Sequence, residues 1–386
     1  MVGTATADVA EIAPAGGIPF VVASRPQRRF SNTQTVSNLS AGGSFAPIQL
    51  PATGWVRKVA IWVKVSFTTA SAAALVAGDA PFNILPNISI TDATGQPITV
   101  PISGYNLYLV NKWLPSGSCK YPQFAHDPYA HFDHSYFVSG GTTGTANFRL
   151  ELQFEQDADT GYGCIPNLDS NASLQLRIDY AAISTIFSGT TPSAASVQIT
   201  VDQHYWAPVG GELGGVPVRT MPPGAGDYVE TRYETQTVTA SSENTVSLTN
   251  RGGLIKGIIA VSRAAGARTA FTALSNVGLV YDNNAIDEGI KLESFNQDMR
   301  DKTGYQGAIN TTTLAGLSTG VLDGLDSGVL VWNFDPLNEG GRNTWLSTRV
   351  GTLLQLKVTP GASATQLELI TQLAQVHDAA AFYRAI

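Results

Sequence analysis

The residues best suited to bind a metal lie in one short segment, His126 to His134. Three histidines and two aspartates occur within it, and imidazole and carboxylate groups are common ligands of zinc and related metals. The spacing matches no established zinc pattern, and the segment does not read as a helix presenting ligands at i and i+4. Its aromatic neighbours indicate packing against another surface, so we favour an aromatic loop and keep metal binding as the alternative.

Glu151 and Glu155 form a second candidate pair. Two carboxylates near one another can hydrolyse glycosides, and both glutamates fall on one predicted strand with perfect alternation. They share a face with Arg149 and Gln153, which is typical of a solvated strand face. We therefore predict an ordinary exposed polar surface here.

Asp157, Asp159 and Asp169 surround a glycine-containing loop, but they lack the ligand order of an EF-hand, so a solvated loop is preferred to a calcium site. The sequence has no Gly-x-Ser-x-Gly elbow, no phosphate loop and no dinucleotide fingerprint. We assign no catalytic, cofactor-binding or metal-binding residue, and we expect the chain not to be an enzyme.

Cysteine and tryptophan give weaker signals. The two cysteines, Cys119 and Cys164, are too few for a disulfide framework. A single bridge between them is possible, but we favour two reduced thiols in a chain folded in cytosol. Tryptophan can stack on sugars, yet it more commonly fills cores and interfaces. The six tryptophans are Trp55, Trp62, Trp113, Trp206, Trp332 and Trp345.

Composition limits the class of protein. A length of 386 residues suggests two domains. Charged residues make up only 14 % of the chain, against about 25 % in a typical soluble domain, which indicates that much surface is covered by a partner. The net charge of −7 argues against general nucleic-acid binding. No apolar run is long enough to span a bilayer, and Met1 to Gly17 lacks the features of a secretory signal.

Strands are the elements that would position these residues. Alternating or β-branched runs, bounded by turn signals, predict strands at Val56 to Val65, Asn87 to Asp92, Pro97 to Ile102, Phe148 to Glu155, Leu174 to Tyr180, Val197 to Asp202, Asn276 to Asp282, Gly328 to Phe334, Arg349 to Val358 and Gln366 to Leu373. Short helices are predicted at Gly104 to Leu114, before Pro115, and at Leu292 to Arg300. The last strand has some helical propensity, and Ala379 to Ile386 is left unassigned.

The two halves of the chain repeat one plan. Thr33 to Ser37 leads into Gly54 to Ser66, and Thr235 to Thr239 leads into Gly253 to Arg263; a short strand with a polar turn follows in each half. Corresponding elements lie about 190 to 200 residues apart and keep the same order. Two long copies are too few for a solenoid, so we predict two β-domains of one design.

These observations predict an all-β fold of two tandem jelly-roll sandwiches with short helical inserts. The predicted organisation is an N-terminal arm over 1–29, a first jelly roll over 30–209, a glycine- and proline-rich linker over 210–228 and a second jelly roll over 229–386. The arm ends in a basic cluster, Arg25, Arg28 and Arg29. This cluster is either a solvated charge run or a contact with a neighbouring subunit or acidic lipid.

Four stretches carry a resemblance to a known family: Val56 to Ser66, Phe82 to Asp92, Ser103 to Asn111 and Gly328 to Asp335. In element order and length, nearly the whole chain resembles the double jelly-roll major capsid proteins of tailless, membrane-containing icosahedral viruses, closest to the tectivirus type of bacteriophage. No short motif defines that family, so no individual contact residue is carried over.

The resemblance implies a homotrimer whose six jelly rolls give a six-fold-like outline that tiles an icosahedral shell. Its implied partners are neighbouring trimers, minor capsid or vertex proteins and, through Met1 to Arg29, an inner membrane. The excursions Pro115 to Thr145 and Asn310 to Ser327 would form outer or intersubunit loops. The protein would be made in the host cytoplasm and reside in the virion, without a cofactor.

Two other function classes remain open at this stage. A carbohydrate-binding, lectin-like protein would expose aromatic residues on one sheet face or loop rim. A jelly-roll hydrolase would need convergent carboxylates or a metal. Particle size, retention on a sugar column and loss of activity with a chelator distinguish the three.

Overall fold

The computed structural model describes residues 17–68, 79–115, 133–135, 143–187, 191–192, 194–225, 228–249, 252–268, 274–291, 294–295, 298, 328–335, 344–348, 353–362 and 366–374. The helices α1 (Phe20–Ala23) and α2 (Gly104–Trp113) occur in this part of the chain, beside short 3-10 turns and the helical residues 294–295 and 298. None of the described helices is long and apolar enough to cross a membrane.

Strands make up most of the described structure. In chain order they are β1 (Pro26–Val36), β2 (Gly43–Ser44), β3 (Ile48–Gln49), β4 (Gly54–Thr68), β5 (Asn87–Thr91), β6 (Asp133–Ser135), β7 (Thr143–Gln153), β8 (Ile165–Asn167), β9 (Gln175–Tyr180), β10 (Ala194–Trp206), β11 (Glu212–Leu213), β12 (Val216–Pro217), β13 (Val229–Thr237), β14 (Asn244–Ser247), β15 (Leu254–Ala264), β16 (Ala267–Arg268), β17 (Leu274–Tyr281), β18 (Asn284–Ile290), β19 (Val329–Asn333), β20 (Leu346–Ser347), β21 (Leu354–Pro360) and β22 (Gln366–Ala374).

Two antiparallel sheets form the first sandwich. Sheet A has the order β1-β10-β4-β7-β6, with β8 also paired to β4. In sheet B, β9 pairs with β2 and β3 and also with β5. The small β11–β12 hairpin follows this sandwich and lies in the predicted linker.

The second sandwich repeats this topology. Sheet C contains the order β13-β22-β15-β19, which corresponds strand for strand to β1-β10-β4-β7 of sheet A. Sheet D has the order β14-β21-β17-β18. Strand β14 corresponds to β2 and β3 of sheet B, β21 corresponds to β9, and β17 corresponds to β5. The duplication predicted from the sequence is therefore confirmed, and the two repeated segments, β4 and β15, both lie in the middle of their sheets.

Alternation along β4 shows why the sandwich forms. Ile61, Val63 and Val65 are at most 2 % exposed, whereas Trp62 and Lys64 between them are exposed. Burying each such aliphatic side chain contributes about 1.5 to 3 kcal/mol. The sheet therefore presents one apolar face to the core and one polar face outward.

Both halves contain a hairpin with an acidic turn, as the sequence predicts. In the first half the Asp92 carboxylate accepts hydrogen bonds from the Thr94 hydroxyl and from the backbone N–H groups of Thr94 and Gln96, and these lower its pKa. Gly95 has a φ of +88°, a conformation that favours glycine. In the second half Asp282 and Asn283 make the corresponding turn between β17 and β18.

Three details differ from or refine the sequence predictions. Strand β1 begins at Pro26, before the predicted start of the first jelly roll at residue 30, so part of the basic cluster belongs to sheet A. The last predicted strand is indeed strand β22 and not a helix. Of the second predicted helix, residues 294–295 and 298 are described and helical.

Candidate functional site

The two glutamates predicted to lie on an exposed polar face are buried, so that prediction is wrong. Glu151 is 3 % and Glu155 2 % exposed. The Lys58 ammonium donates to both oxygens of Glu151 at 3.0 and 3.1 Å, and the Arg57 guanidinium binds Glu155 at 2.7 to 2.9 Å. The Trp206 indole also donates to Glu155 at 2.7 Å. Each carboxylate is therefore the counter-charge of a buried cation rather than half of a hydrolytic pair.

Helix α2 explains why this strand face is covered. The fully buried side chain of Asn111 donates to the Glu151 carbonyl and accepts from the Glu151 N–H, both at 2.8 Å. Strand β6 pairs with β7 only up to Asn147. At Glu151 the Asn111 side chain instead provides the hydrogen bonds that the backbone N–H and carbonyl need, as a neighbouring strand would. Local alternation cannot reveal a covering helix that comes from about 40 residues away in the chain.

Two of the three aspartates considered as a calcium site, Asp157 and Asp169, stabilise their own turns with their carboxylates. Asp157 accepts from the Asp159 N–H at 2.9 Å and from the Thr160 hydroxyl at 2.6 Å. Asp169 accepts from the Asn171 N–H at 2.8 Å and caps the 3-10 turn that follows it. Such local turns are a common use of aspartate. Within the described ranges, no group of three His, Cys, Asp or Glu residues is placed to hold a metal ion.

The histidine-rich segment, His126 to His134, lies outside the described residues apart from the backbone of β6, and Cys119 lies outside them as well. Cys164 is a free, fully buried thiol. Burial, and then the nearby charge of Glu155, raise the pKa of this thiol well above its usual range. A neutral thiol is a poor nucleophile and metal ligand, so Cys164 acts as a core residue.

Five of the six tryptophans are 5 % exposed or less, which supports a packing role. The exception is Trp62, which is 40 % exposed on the outer face of sheet A. The Arg149 guanidinium lies 5.2 Å from the centre of its ring, a distance typical of a cation–π contact.

Helix α2 is also the element at which the two sandwiches meet. Its spacing predicts one apolar face, yet all ten residues are buried. Ser103 caps its start by accepting from the Asn106 N–H at 3.2 Å. At its end, Asn333 of β19 donates to the Trp113 carbonyl at 3.0 Å. Sheet C of the second sandwich therefore covers the side of α2 that would otherwise face water.

Gly257 and Arg263 identify the face of β15 that contacts the first sandwich. A Cβ at Gly257 would lie 2.3 Å from the Leu114 side chain, and the Arg263 guanidinium lies 5.7 Å from the Tyr105 ring. No bulge separates the two positions, so alternation places Ile259 on the same face. The fully buried Ile259 therefore belongs to the junction between the sandwiches.

A cluster of ionic groups spans this junction. Arg263 donates to Glu368 at 2.7 Å and to Asp79 at 2.8 Å, and Arg268 donates to Asp79 at 2.6 Å. Asn106 of α2 donates to Glu368 at 2.6 Å. Burial opposes the charge of Arg263, but the two carboxylates outweigh burial and raise its pKa. Asp79 and Asn106 belong to the first half of the chain, so the cluster fixes one sandwich against the other.

A buried lysine adds a second link across the junction. Lys256, at the bulge of β15, is fully buried, and its ammonium donates to the Pro115 carbonyl just after α2. It also lies 5.9 Å from the centre of the Trp345 ring. A cation near the C-terminal end of a helix is electrostatically favourable. The junction thus combines apolar packing with buried charged groups whose partners lie in both halves.

The end of the predicted N-terminal arm is packed against the first sandwich. The Ile18 N–H donates to the Pro217 carbonyl at 2.8 Å. Phe20 is 1 % exposed and makes edge contacts with Trp55 and Trp206, both with ring centres 6.4 Å apart. Residues from about 18 onward are therefore packed as part of this sandwich.

No family model and no curated protein matches this chain. Solved structures do match over most of its length. It shares 12 % identity with the STIV MCP, at a TM-score of 0.55, covering 91 % of this chain and 97 % of that one. A chain of the Sulfolobus Turreted Icosahedral Virus structure matches with 13 % identity, a TM-score of 0.55 and 92 % of both chains covered.

The major capsid protein P2 from Bacteriophage PM2 is a further structural neighbour. It has 13 % identity and a TM-score of 0.50, with 91 % of this chain and 99 % of that chain covered. At such low identity the likeness establishes the fold. The chain is a double jelly roll, as the sequence predicts, and it spans nearly the full length of these capsid proteins.

Proposed function

We propose that this chain is the major capsid subunit of an icosahedral virus, acting as a homotrimer and without catalytic activity. The observation that carries the proposal is the duplication: one strand order occurs in both sandwiches of a fold that capsid proteins share. Two similar sandwiches held side by side give three copies a six-sided outline, and such a block can tile a hexagonal lattice.

The junction supports this function because a tile must keep its shape. Buried ionic contacts and the packing of α2 fix the first sandwich against the second. A rigid subunit loses little conformational freedom on association, so weak contacts between many copies suffice to close a shell. Copies that associate head to tail form a closed symmetric ring when the rotation from each copy to the next adds up to a full turn.

The chemistry of the described residues favours a structural role over the two alternatives. The glutamates available for hydrolysis are neutralised by Arg57 and Lys58. Five of the six tryptophans are buried, so they are not platforms for sugar rings.

The organisation proposed for this function keeps the predicted division of an arm over 1–29, jelly rolls over 30–209 and 229–386, and a linker over 210–228, except that the arm from residue 18 onward packs on the first sandwich. The arm before residue 18 would extend to the inner side of the shell, near a membrane where one is present. The predicted excursions, 115–145 and 310–327, lie outside the described residues apart from residue 115, strand β6 and the first residues of β7. Neighbouring trimers and minor or vertex proteins would be the partners in the virion, after synthesis in the host cytoplasm.

The proposal is tested with the full chain, expressed alone and measured by size-exclusion chromatography with light scattering. We expect a particle with about three times the 40.7 kDa chain mass, with a hexagonal outline in negative-stain images. A chain that stays monomeric at all concentrations and is retained on a sugar column would instead support the lectin-like alternative.

A further inference from the structure

The outer face of sheet A carries an unusual surface for the exposed side of a sheet. Phe30 is 59 % and Trp62 40 % exposed, although both are large aromatic residues. The strand register places Trp62 and Arg149 in one row, and Phe30 and Glu151 in the adjacent row. They lie on one face of the sheet, which we call the sheet A face; Phe30 and Trp62 are exposed on it, whereas Glu151, Ala60 and Asp202 are buried. Exposed aromatic residues grouped in this way mark interaction surfaces.

The sheet A face is also basic. It bears four cations and two carboxylates: Arg28, Lys58, Lys64, Arg149, Asp202 and Glu151. Lys58, Asp202 and Glu151 are buried members of ion pairs, so the charges that reach the surface are those of Arg28, Lys64 and Arg149. Since the whole chain has a net charge of −7, this surface opposes the general charge of the protein. A partner with acidic groups would be attracted to it.

The same face of the second sandwich is covered within the chain. Strand β15 of sheet C corresponds to β4, and its outer face packs against α2 and the segment before it. The Tyr228 hydroxyl donates to the Ile98 carbonyl, and a small cleft between the halves is lined by Thr99, Ile102 and Gln372 among others. The covering surface therefore consists of residues 97–113 of the first sandwich, directly after its acidic turn.

In the second sandwich, strand β18 corresponds to the start of this covering segment. It follows the acidic turn at Asp282 just as residues 97–102 follow the turn at Asp92. Strand β18 presents Ile286, which is 44 % exposed, together with Asp287 and the exposed Glu288. No lysine or arginine occurs between residues 282 and 290. This edge is thus acidic and partly apolar, and it complements the sheet A face in charge.

We infer that the sheet A face binds a second copy of this chain, which presents the β18 edge of its second sandwich. The contact repeats between chains the packing that already joins the two sandwiches within one chain. It is heterologous, so each copy uses one face and one edge, and three copies can close a ring. This inference rests on the proposed trimer and assigns its contact surfaces.

The test uses two variants on the sheet A face, Trp62→Glu and Lys64→Glu, in the full chain. Both side chains are exposed, so folding is expected to be retained and is checked by circular dichroism and thermal unfolding. The matched control is Leu213→Glu, which changes a 54 % exposed residue of the β11–β12 hairpin. The mass of each variant is measured by light scattering over a dilution series.

We expect the two face variants to shift trimer formation to concentrations at least about tenfold higher than for the unchanged chain, with the control unaffected. Glu288→Lys should also weaken the trimer, and combined with Lys64→Glu it should restore part of the association. If the unchanged chain forms trimers and the folded face variants form them equally well, the assignment of this face is wrong, while the trimer itself stands. An unchanged chain that never associates overturns the trimer and this inference together.

Discussion

Removing Arg263 tests whether the junction between the sandwiches contributes to stability. In Arg263→Ala, Glu368 would keep its hydrogen bond from Asn106, and Asp79 would keep its contact with Arg268. The three side chains of the broken contacts are 13 to 20 % exposed. Breaking a buried ion pair costs about 3 to 5 kcal/mol, and we expect a value near the lower end because each carboxylate retains one partner.

A double-mutant cycle isolates this interaction from the loss of packing. Arg263→Ala, Asp79→Ala and the double variant are unfolded in urea, and the free energies of unfolding are compared. We expect a coupling of about 1 to 2 kcal/mol, because the two groups are in direct contact. The matched control is the pair Arg28 and Asp202, in which the arginine side chain is 57 % exposed; its coupling should be below about 1 kcal/mol.

The comparison between the two cycles decides the outcome. A junction coupling no larger than that of the exposed pair would show that the ionic cluster does not hold the sandwiches together. Apolar packing around α2 would then be what holds the two sandwiches in one rigid arrangement.

Three further predictions follow from single contacts. Gly257→Val should destabilise the junction by about 1 to 3 kcal/mol in urea unfolding, because its Cβ would overlap Leu114; an unchanged midpoint would contradict the packing. Burial, followed by nearby cations, lowers the pKa of His204 to about 4. As the pH falls, this histidine therefore takes up a proton in the unfolded chain before it does so in the folded chain, and the free energy of unfolding should decrease from about pH 6.5 to 4. His204→Gln should flatten that dependence. Deleting residues 1–24 should lower the thermal midpoint more than deleting residues 1–16 does, because only the longer deletion removes Phe20 from its contacts with Trp55 and Trp206; equal midpoints would refute this.

Much of the fold was predictable because its signals are local. Strands such as β4 and β10 alternate apolar and polar residues, and the acidic turn at Asp92 has the residues that its conformation requires. The duplication was visible because corresponding elements keep their order and spacing. These features depend on neighbouring residues along the chain, which a sequence shows directly.

The junction was not predictable because it depends on contacts between distant segments. Alternation predicted that Glu151 is exposed, but α2 covers it, and Lys58 neutralises it from the adjacent strand. Arg263 and Asp79 are 184 positions apart, and neither has a local signal. The packed end of the arm did have one: residues 18 to 22 form a short apolar run, Ile-Pro-Phe-Val-Val, within a segment otherwise rich in small residues.

The most direct test of the central claim is a cryo-electron microscopy map of the purified full-length chain. We predict a threefold particle containing six sandwich-shaped densities, in which the sheet A face of each copy contacts the β18 edge of the next. A map of single, unassociated subunits, or of a twofold dimer joined through other faces, would contradict the proposed capsid subunit.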